Sequence, residues 1–240
     1  MKHMDTDSQR LVLEDFPCAI DEEKLKAACR LDDASEPDDL ARLHDLCVQA
    51  QSVARPRAAV VVAMVEKVDD ETVLIDGVKI RSRLVRVNLD KTHRVFAYTA
   101  TCSREIEEWS RQFDDDMFDQ FCADEIKKQC LLQAFAAVQR TVSERFLPDA
   151  KLSRMNPGSL KEWPITGQRE LFQILGDTAA AAGVSLTPSC LMLPSKSISG
   201  LYFSDATGHV NCIMCPMPAC PNRQAPYDPE HYRKRFEHHD

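Results

Sequence analysis

The sequence predicts an α+β fold with a largely antiparallel sheet, and three observations carry that expectation. Residues 58–65 form an apolar run of buried-strand length. Residues 72–80 place Asp76-Gly77 between two strand-like runs, a tight hairpin signal. Ile126, Cys130, Ala134, Val138 and Val142 recur at helical spacing within residues 124–146. Helices mixed with hairpin-linked strands describe an α+β domain.

The remaining elements follow in chain order. Residues 1–8 read as a frayed tail, and residues 11–20 as a strand with its turn. A helix is expected over 21–31, then an acidic, proline-bearing loop over 32–39. Asp38 is placed to cap a helix over 39–52. Residues 93–101 read as a strand ending in Cys102-Ser103 before an acidic helix. A Pro/Gly loop covers 155–164, and a helix capped by Thr166 ends near Gly176 or Gly183. Strand-like segments fill residues 186–203.

Bulk composition removes several function classes. A chain of 240 residues with 44% hydrophobic and 28% charged residues is long enough to bury a core. Its net charge of −8 argues against nucleic acid or an anionic membrane as partner. The polar start, Met1 to Ser8, lacks the apolar segment of a secretory signal, and the run 58–65 is far too short to span a bilayer. Ten cysteines without a signal point to reduced thiols in a cytoplasm. A cytoplasmic location is expected.

Common catalytic motifs are missing, including the P-loop, G-x-G-x-x-G, G-x-S-x-G and H-E-x-x-H. The run Asp114-Asp115-Asp116 reads as a solvated face or loop, and His231, His238 and His239 as part of a polar tail. Cys29, Cys47, Cys122 and Cys130 lie on helical stretches, where a free cysteine acts as a small core hydrophobe. Two segments offer more. Pro157, Gly158 and Ser159 form a sharp loop whose main chain can approach a ligand. Ser197, Ser199 and Gly200 offer small hydroxyls and open backbone, with Tyr202 as an aromatic wall.

Three thiols stand close together near the C-terminus in Cys212-Ile-Met-Cys215-Pro-Met-Pro-Ala-Cys220. A Cys-x2-Cys turn with a third thiol beyond it suits a soft metal, and Pro216, Pro218 and Pro221 limit its flexing. A closed site takes four ligands, so the fourth comes from elsewhere in the fold, from an exogenous group, or does not exist. Cys102 and Cys190 are the candidates for it, with His209 behind them.

The pair of segments resembles the activation domain of cobalamin-dependent methionine synthase and its short stand-alone relatives in anaerobic microbes. Pro157-Gly158, Gln168, Leu171-Phe172, Met192, Pro194, Ser197 and Ser199-Gly200 carry the resemblance. It implies a bent antiparallel sheet flanked by helices, a ligand groove formed by Pro157, Gly158, Ser159, Ser197, Ser199, Gly200 and Tyr202, and a corrinoid protein or methyltransferase as partner. In that family the groove holds S-adenosylmethionine, presented to a corrinoid on a neighbouring domain. Where the family reads Arg-x-Thr-Glu-Ser, this chain has Ser185-Leu186-Thr187-Pro188-Ser189, and Ser159 stands in place of an aromatic. The zwitterionic ligand thereby loses its carboxylate and ammonium partners.

The resulting expectation divides the chain into an N-terminal region 1–57, a domain 58–225 including the cysteine loop, and a polar tail 226–240. Its function is to assist reductive activation of a corrinoid protein through an iron–sulfur cluster on Cys212, Cys215 and Cys220. A non-catalytic module stapled by zinc and a methyltransferase component that binds S-adenosylmethionine are the alternatives.

Overall fold

The structure, a computed structural model, describes residues 9–14, 16–32, 34–205, 211–219, 223 and 225–230. Its centre is β2 (Arg57–Lys67), β5 (Arg94–Thr101) and β9 (Ser197–Ser204), adjacent and antiparallel. β6 (Leu152–Met155) closes the sheet beside β9, and the hairpin β3 (Thr72–Ile75) and β4 (Val78–Arg81) lies at the other end. Both turn residues of that hairpin take positive φ, 45° at Asp76 and 79° at Gly77, as a tight two-residue turn requires.

β2, at 11 residues, is shared between several partners. Opposite β5, its first half pairs with β1 (Arg10–Leu13) through Ala58 to Val61, and its far end pairs with β3 through Val65 to Lys67. One strand therefore serves two partners along one edge. Every described pairing is antiparallel, including the separate pair β7 (Ser185–Leu186) and β8 (Met192–Leu193). The expected α+β sheet with flanking helices is what the chain forms.

Strand alternation divides the core between two faces. Val61, Ala63, Val95, Ala97, Leu201 and Phe203 point to one face. There they pack with Leu84 of α3 (Arg83–Asn88), Leu171 of α6 (Gln168–Leu175) and Ala179 of α7 (Asp177–Ala181). Val60, Val62, Phe96, Tyr98 and Tyr202 point the other way, under Ala134 and Val138 of α5 (Met117–Thr141). Alongside, α1 (Glu22–Cys29), α2 (Pro37–Val53) and α4 (Arg104–Ser110) enclose a helical core with α5 around Leu25, Leu43 and Ile126. Each fully buried leucine or isoleucine there contributes about 1.5–3 kcal/mol.

Capping chemistry explains several boundaries. Asp21 accepts from Lys24 N at 3.0 Å and starts α1. Pro37 occupies the first turn of α2, so the start falls before Asp38, which caps nothing there. α5 begins at Met117, earlier than its periodicity suggests, because Asp116 accepts from Phe118 N and Asp119 N, each at 3.0 Å. The acidic run is thus partly a helix cap, and Arg42 pairs with both Asp116 and Asp119. Thr166 lies in a 3-10 turn rather than capping α6, and Gly176 at φ 56° separates α6 from α7.

Three glutamines clamp the extended chain before α1. Gln133 bonds both the amide and carbonyl of Ala19, at 2.8 and 2.9 Å, and Gln129 does the same for Asp21, at 2.8 and 3.0 Å. Gln51 accepts from Ile20 N and donates to Cys18 O, both at 2.9 Å. These side-chain amides supply the partners that a neighbouring strand would otherwise supply. The expected boundary at residue 57 therefore marks no break in packing, since β1, α1 and α2 share sheet and core with later elements. No described helix is long and apolar enough to cross a membrane. The expected tail at residues 1–8 and the histidines at 209, 231, 238 and 239 lie outside the described residues.

Candidate functional site

The loop after β6 and the strand β9 meet at one polar junction. Asn156, which precedes Pro157, donates its side-chain amide to Tyr98 Oη at 2.8 Å and also to the carbonyl of Ser199. Ser199 Oγ donates to Gln168 Oε1 at 2.7 Å, tying β9 to the start of α6. Gly200 sits where the backbones crowd: a Cβ there would lie 2.5 Å from Asn156 Nδ2, 2.6 Å from Met155 O and 2.9 Å from Tyr98 Oη. Gly158 turns at φ 82° and donates its amide to Trp163 O at 2.8 Å. Pro157 is buried, while Gly158 and Ser159 are exposed at the rim.

The residues expected to line one groove occupy both faces of β9. Ser199 lies on the α6 face, bonded to Gln168, whereas Tyr202 lies beneath α5. Tyr202 is 3% exposed, packs at a tilt against Tyr98 at 4.8 Å and stacks with Phe135 at 6.2 Å. The expected aromatic wall is therefore an internal layer, because strand side chains alternate. Ser197 Oγ donates to Pro194 O at 2.8 Å and lies within hydrogen-bond reach of Thr101 Oγ1 at 2.9 Å, so its hydroxyl fixes the entry to β9.

Arg154 is the cation of this region and was not singled out by sequence. Its guanidinium stands over the Phe135 ring at 4.7 Å and interacts with the hydroxyls of Tyr98 and Tyr202. Burial raises both phenols above the ordinary tyrosine value against the opposing charge of Arg154, so both remain protonated near neutrality. Side-chain hydrogen bonds and the Arg154 cation hold the loop, β5 and β9 together at this junction. Its chemistry is positioning. A separate concavity of about 210 Å³, between α4 and the β7–β8 pair, is lined by Arg104, Glu107, Leu193 and Pro194. It falls below the ~300–1,000 Å³ usual for small-molecule pockets.

The first two thiols of the cysteine loop share one turn, with Cys215 N donating to Cys212 O at 3.3 Å. Both side chains are partly exposed. Between them Met214 is buried in the core on the α6 face, which anchors the turn to the sheet. Arg223 gathers the loop's main chain, donating to the carbonyls of Cys212 at 3.0 Å, Cys215 at 3.1 Å and Ala225 at 3.1 Å, and to Met217 O. Cys220 lies outside the described residues.

Neither expected fourth ligand joins that turn. Cys102 is fully buried in the helical core with Ile106 and Cys130, on the opposite face of the sheet from Met214. Cys190 is buried in the turn between β7 and β8 at φ 66°, its amide donating to Thr187 O at 2.9 Å. Among the described residues no three His, Cys, Asp or Glu side chains converge as a metal site.

The matched stretch of the chain runs through this junction. A family model described as vitamin B12-dependent methionine synthase, activation domain, matches residues 88–211, just over half the chain. The chain belongs to that activation-domain family. The match takes in β5, Asn156, the Pro-Gly loop, Gln168 and β9, and it stops one residue before Cys212. The cysteine loop is thus an addition beyond the family's matched residues. A solved structure titled "Crystal Structure of the MetH Reactivation Domain bound to AdoHcy" has a similar fold, with TM-score 0.60 and 18% identity over 81% of this chain and 78% of that one. At that identity the likeness concerns the fold. No curated protein matches the chain.

Proposed function

We propose that this activation-domain protein is an accessory factor of corrinoid-dependent methyl transfer that docks on a corrinoid protein and assists its reductive activation. The observation that carries the reading is the junction of Tyr98, Asn156, Gln168, Ser199 and Gly200, which lies inside the family match and includes the motif residues Gln168, Ser199 and Gly200.

We further propose that Cys212, Cys215 and Cys220 hold an iron–sulfur cluster, with an exogenous group completing the ligand set. Thiolates at close spacing suit such a cluster, which would supply the electron that returns an inactive corrinoid to its reduced state. Supporting the reading, Cys212 and Cys215 share one turn, with Met214 as anchor and Arg223 holding the carbonyls. Because these contacts already secure the loop, a metal is not required as its staple. That favours the redox reading over structural zinc.

Anaerobic purification tests the cluster. Bound iron and sulfide, with visible absorbance bleached by dithionite, are expected; colourless protein with stoichiometric zinc overturns it. The activation role is tested separately by mixing the protein with a corrinoid methyltransferase held in the cob(II) state and following methylation after reduction. No acceleration would remove that role. Calorimetry with S-adenosylmethionine addresses the methyltransferase alternative. Weak or absent binding is expected, since Pro188 stands where the family has an acidic residue, and its carbonyl accepts from Arg169 at 3.2 Å.

A further inference from the structure

Six cysteines away from the C-terminal loop gather around α5. Cys122 and Cys130 are about two helical turns apart, so both face the N-terminal segment. Cys29 Sγ stands 3.3 Å from Cys122 Sγ, and Cys18 Sγ stands 3.9 Å from Cys130 Sγ. Cys47 and Cys102 belong to the same core. These are pairs of thiols brought together over about a hundred residues of sequence, not a metal site, since no convergent trio forms among the described residues.

The two pairs have different surroundings. Burial raises both Cys29 and Cys122 above the ordinary thiol value, and neighbouring Glu125 and Asp119 add to the effect. At the other pair, contact with Cys130 lowers the Cys18 thiol despite partial burial, while the Cys130 thiol is raised by the same contact and by burial. Cys18 also lines an open cleft of roughly 380 Å³ with Glu14, Gln51, Arg55 and Arg57. Arg57 pairs with Glu14 and Glu105, whereas Arg55 donates to Ala54 O and forms no ion pair among the described residues. The cleft therefore carries a cation and a partly exposed thiol on one lining, the kind of setting in which cysteines react. Gln51 and Gln133 fix the main chain at Cys18 and Ala19, so the sulfur is held against Cys130.

We propose that Cys18 and Cys130 form a redox-active dithiol, with Cys18 as the cleft-facing thiol that exchanges with a small anionic disulfide and Cys130 as the resolving thiol. The Cys18 thiolate attacks one sulfur of the disulfide, forming a mixed disulfide and expelling one thiolate. Cys130 then loses its proton and attacks Cys18 Sγ, forming the Cys18–Cys130 bond and releasing the second thiolate. Two protein thiols are oxidised, and one disulfide is reduced to two thiols. The new bond ties the segment before α1 to the helix that covers Tyr98 and Tyr202.

The full chain, reduced and then exposed to oxidised glutathione under nitrogen, tests this by intact mass and peptide mapping. The first linked peptide is expected to join Cys18 to Cys130, ahead of any Cys29–Cys122 link. Cys130→Ser is expected to stop at one glutathione on Cys18, and Cys130→Ala repeats the trap with no buried hydroxyl, both checked against wild-type circular dichroism. Arg55→Gln is expected to slow the adduct several-fold with glutathione disulfide and not with the uncharged bis(2-hydroxyethyl) disulfide. First modification at Cys29, Cys212 or Cys215 with Cys18 unmodified overturns the proposal, as does a wild-type chain that forms no Cys18–Cys130 link.

Discussion

Asn156 donates its side-chain amide to the hydroxyl of Tyr98 at 2.8 Å, fastening the loop after β6 to β5 across the intervening strand β9. Removing the amide leaves a fully buried hydroxyl with one partner fewer. Asn156→Ala is expected to cost about 1–3 kcal/mol. A double-mutant cycle with Tyr98→Phe should give coupling of about 1 kcal/mol by urea denaturation, and additivity would show that the contact contributes nothing.

Gly200→Ala tests the crowding at the same place. Two of the three atoms facing the new methyl group are backbone or a hydroxyl on a packed ring, so they have little room to move. A loss of about 2–3 kcal/mol is expected from overpacking. Unchanged denaturation midpoints would mean that β6 and β9 can separate at no cost.

Acid sensitivity should reside partly at the start of α5. The Asp116 carboxylate accepts from the amides of Asp119 and Phe118 and pairs with Arg42, which hold it below the ordinary value of 3.8. A carboxyl depressed in the folded state stabilises fully above its unfolded value, and that contribution disappears as pH falls through the lower folded value. Thermal unfolding from neutral pH to about pH 3 should therefore show a smaller acid-induced loss for Asp116→Asn than for wild type. Equal losses would exclude Asp116 as a source.

Arg223 should control access to the cysteine turn. Arg223→Met removes the donors to the carbonyls of Cys212, Cys215, Met217 and Ala225. Iodoacetamide labelling of Cys212 and Cys215 in metal-free protein should then quicken several-fold, while Cys102 and Cys190, both buried, stay slow. Unchanged labelling at the turn would mean that Met214 alone holds it.

Local signals explain which parts were legible in the sequence. The Asp76-Gly77 turn was readable because the required backbone is nearly confined to such residues, and the central strands because their apolar runs are long. α3 and β6 were missed: each is short, and Arg83, Arg86, Ser153 and Arg154 break any apolar period. The Pro-Gly loop and the Ser-Gly strand were legible as motifs, but Asn156, which joins them, was not, because its partner Tyr98 lies far away in sequence. Alternation could have separated Ser199 from Tyr202, being an odd number of residues apart on one strand. Nothing local marks Cys18 for Cys130 or Arg223 for the cysteine turn; tertiary packing alone makes those pairs.

β5 and β9 are neighbours in the sheet, with Phe96 opposite Tyr202, although about a hundred residues separate them along the chain. Such long-range pairing is costly to close and slow to form. During synthesis the central sheet must wait until residues near 204 have emerged, with helices α5 and α6 already made. A ribosome-bound chain stopped before Ser197 would expose one edge of β5, a strand buried along nearly its whole length. The junction at Asn156 and Gly200 is therefore among the last parts to assemble, which makes an incomplete chain incapable of presenting its binding face.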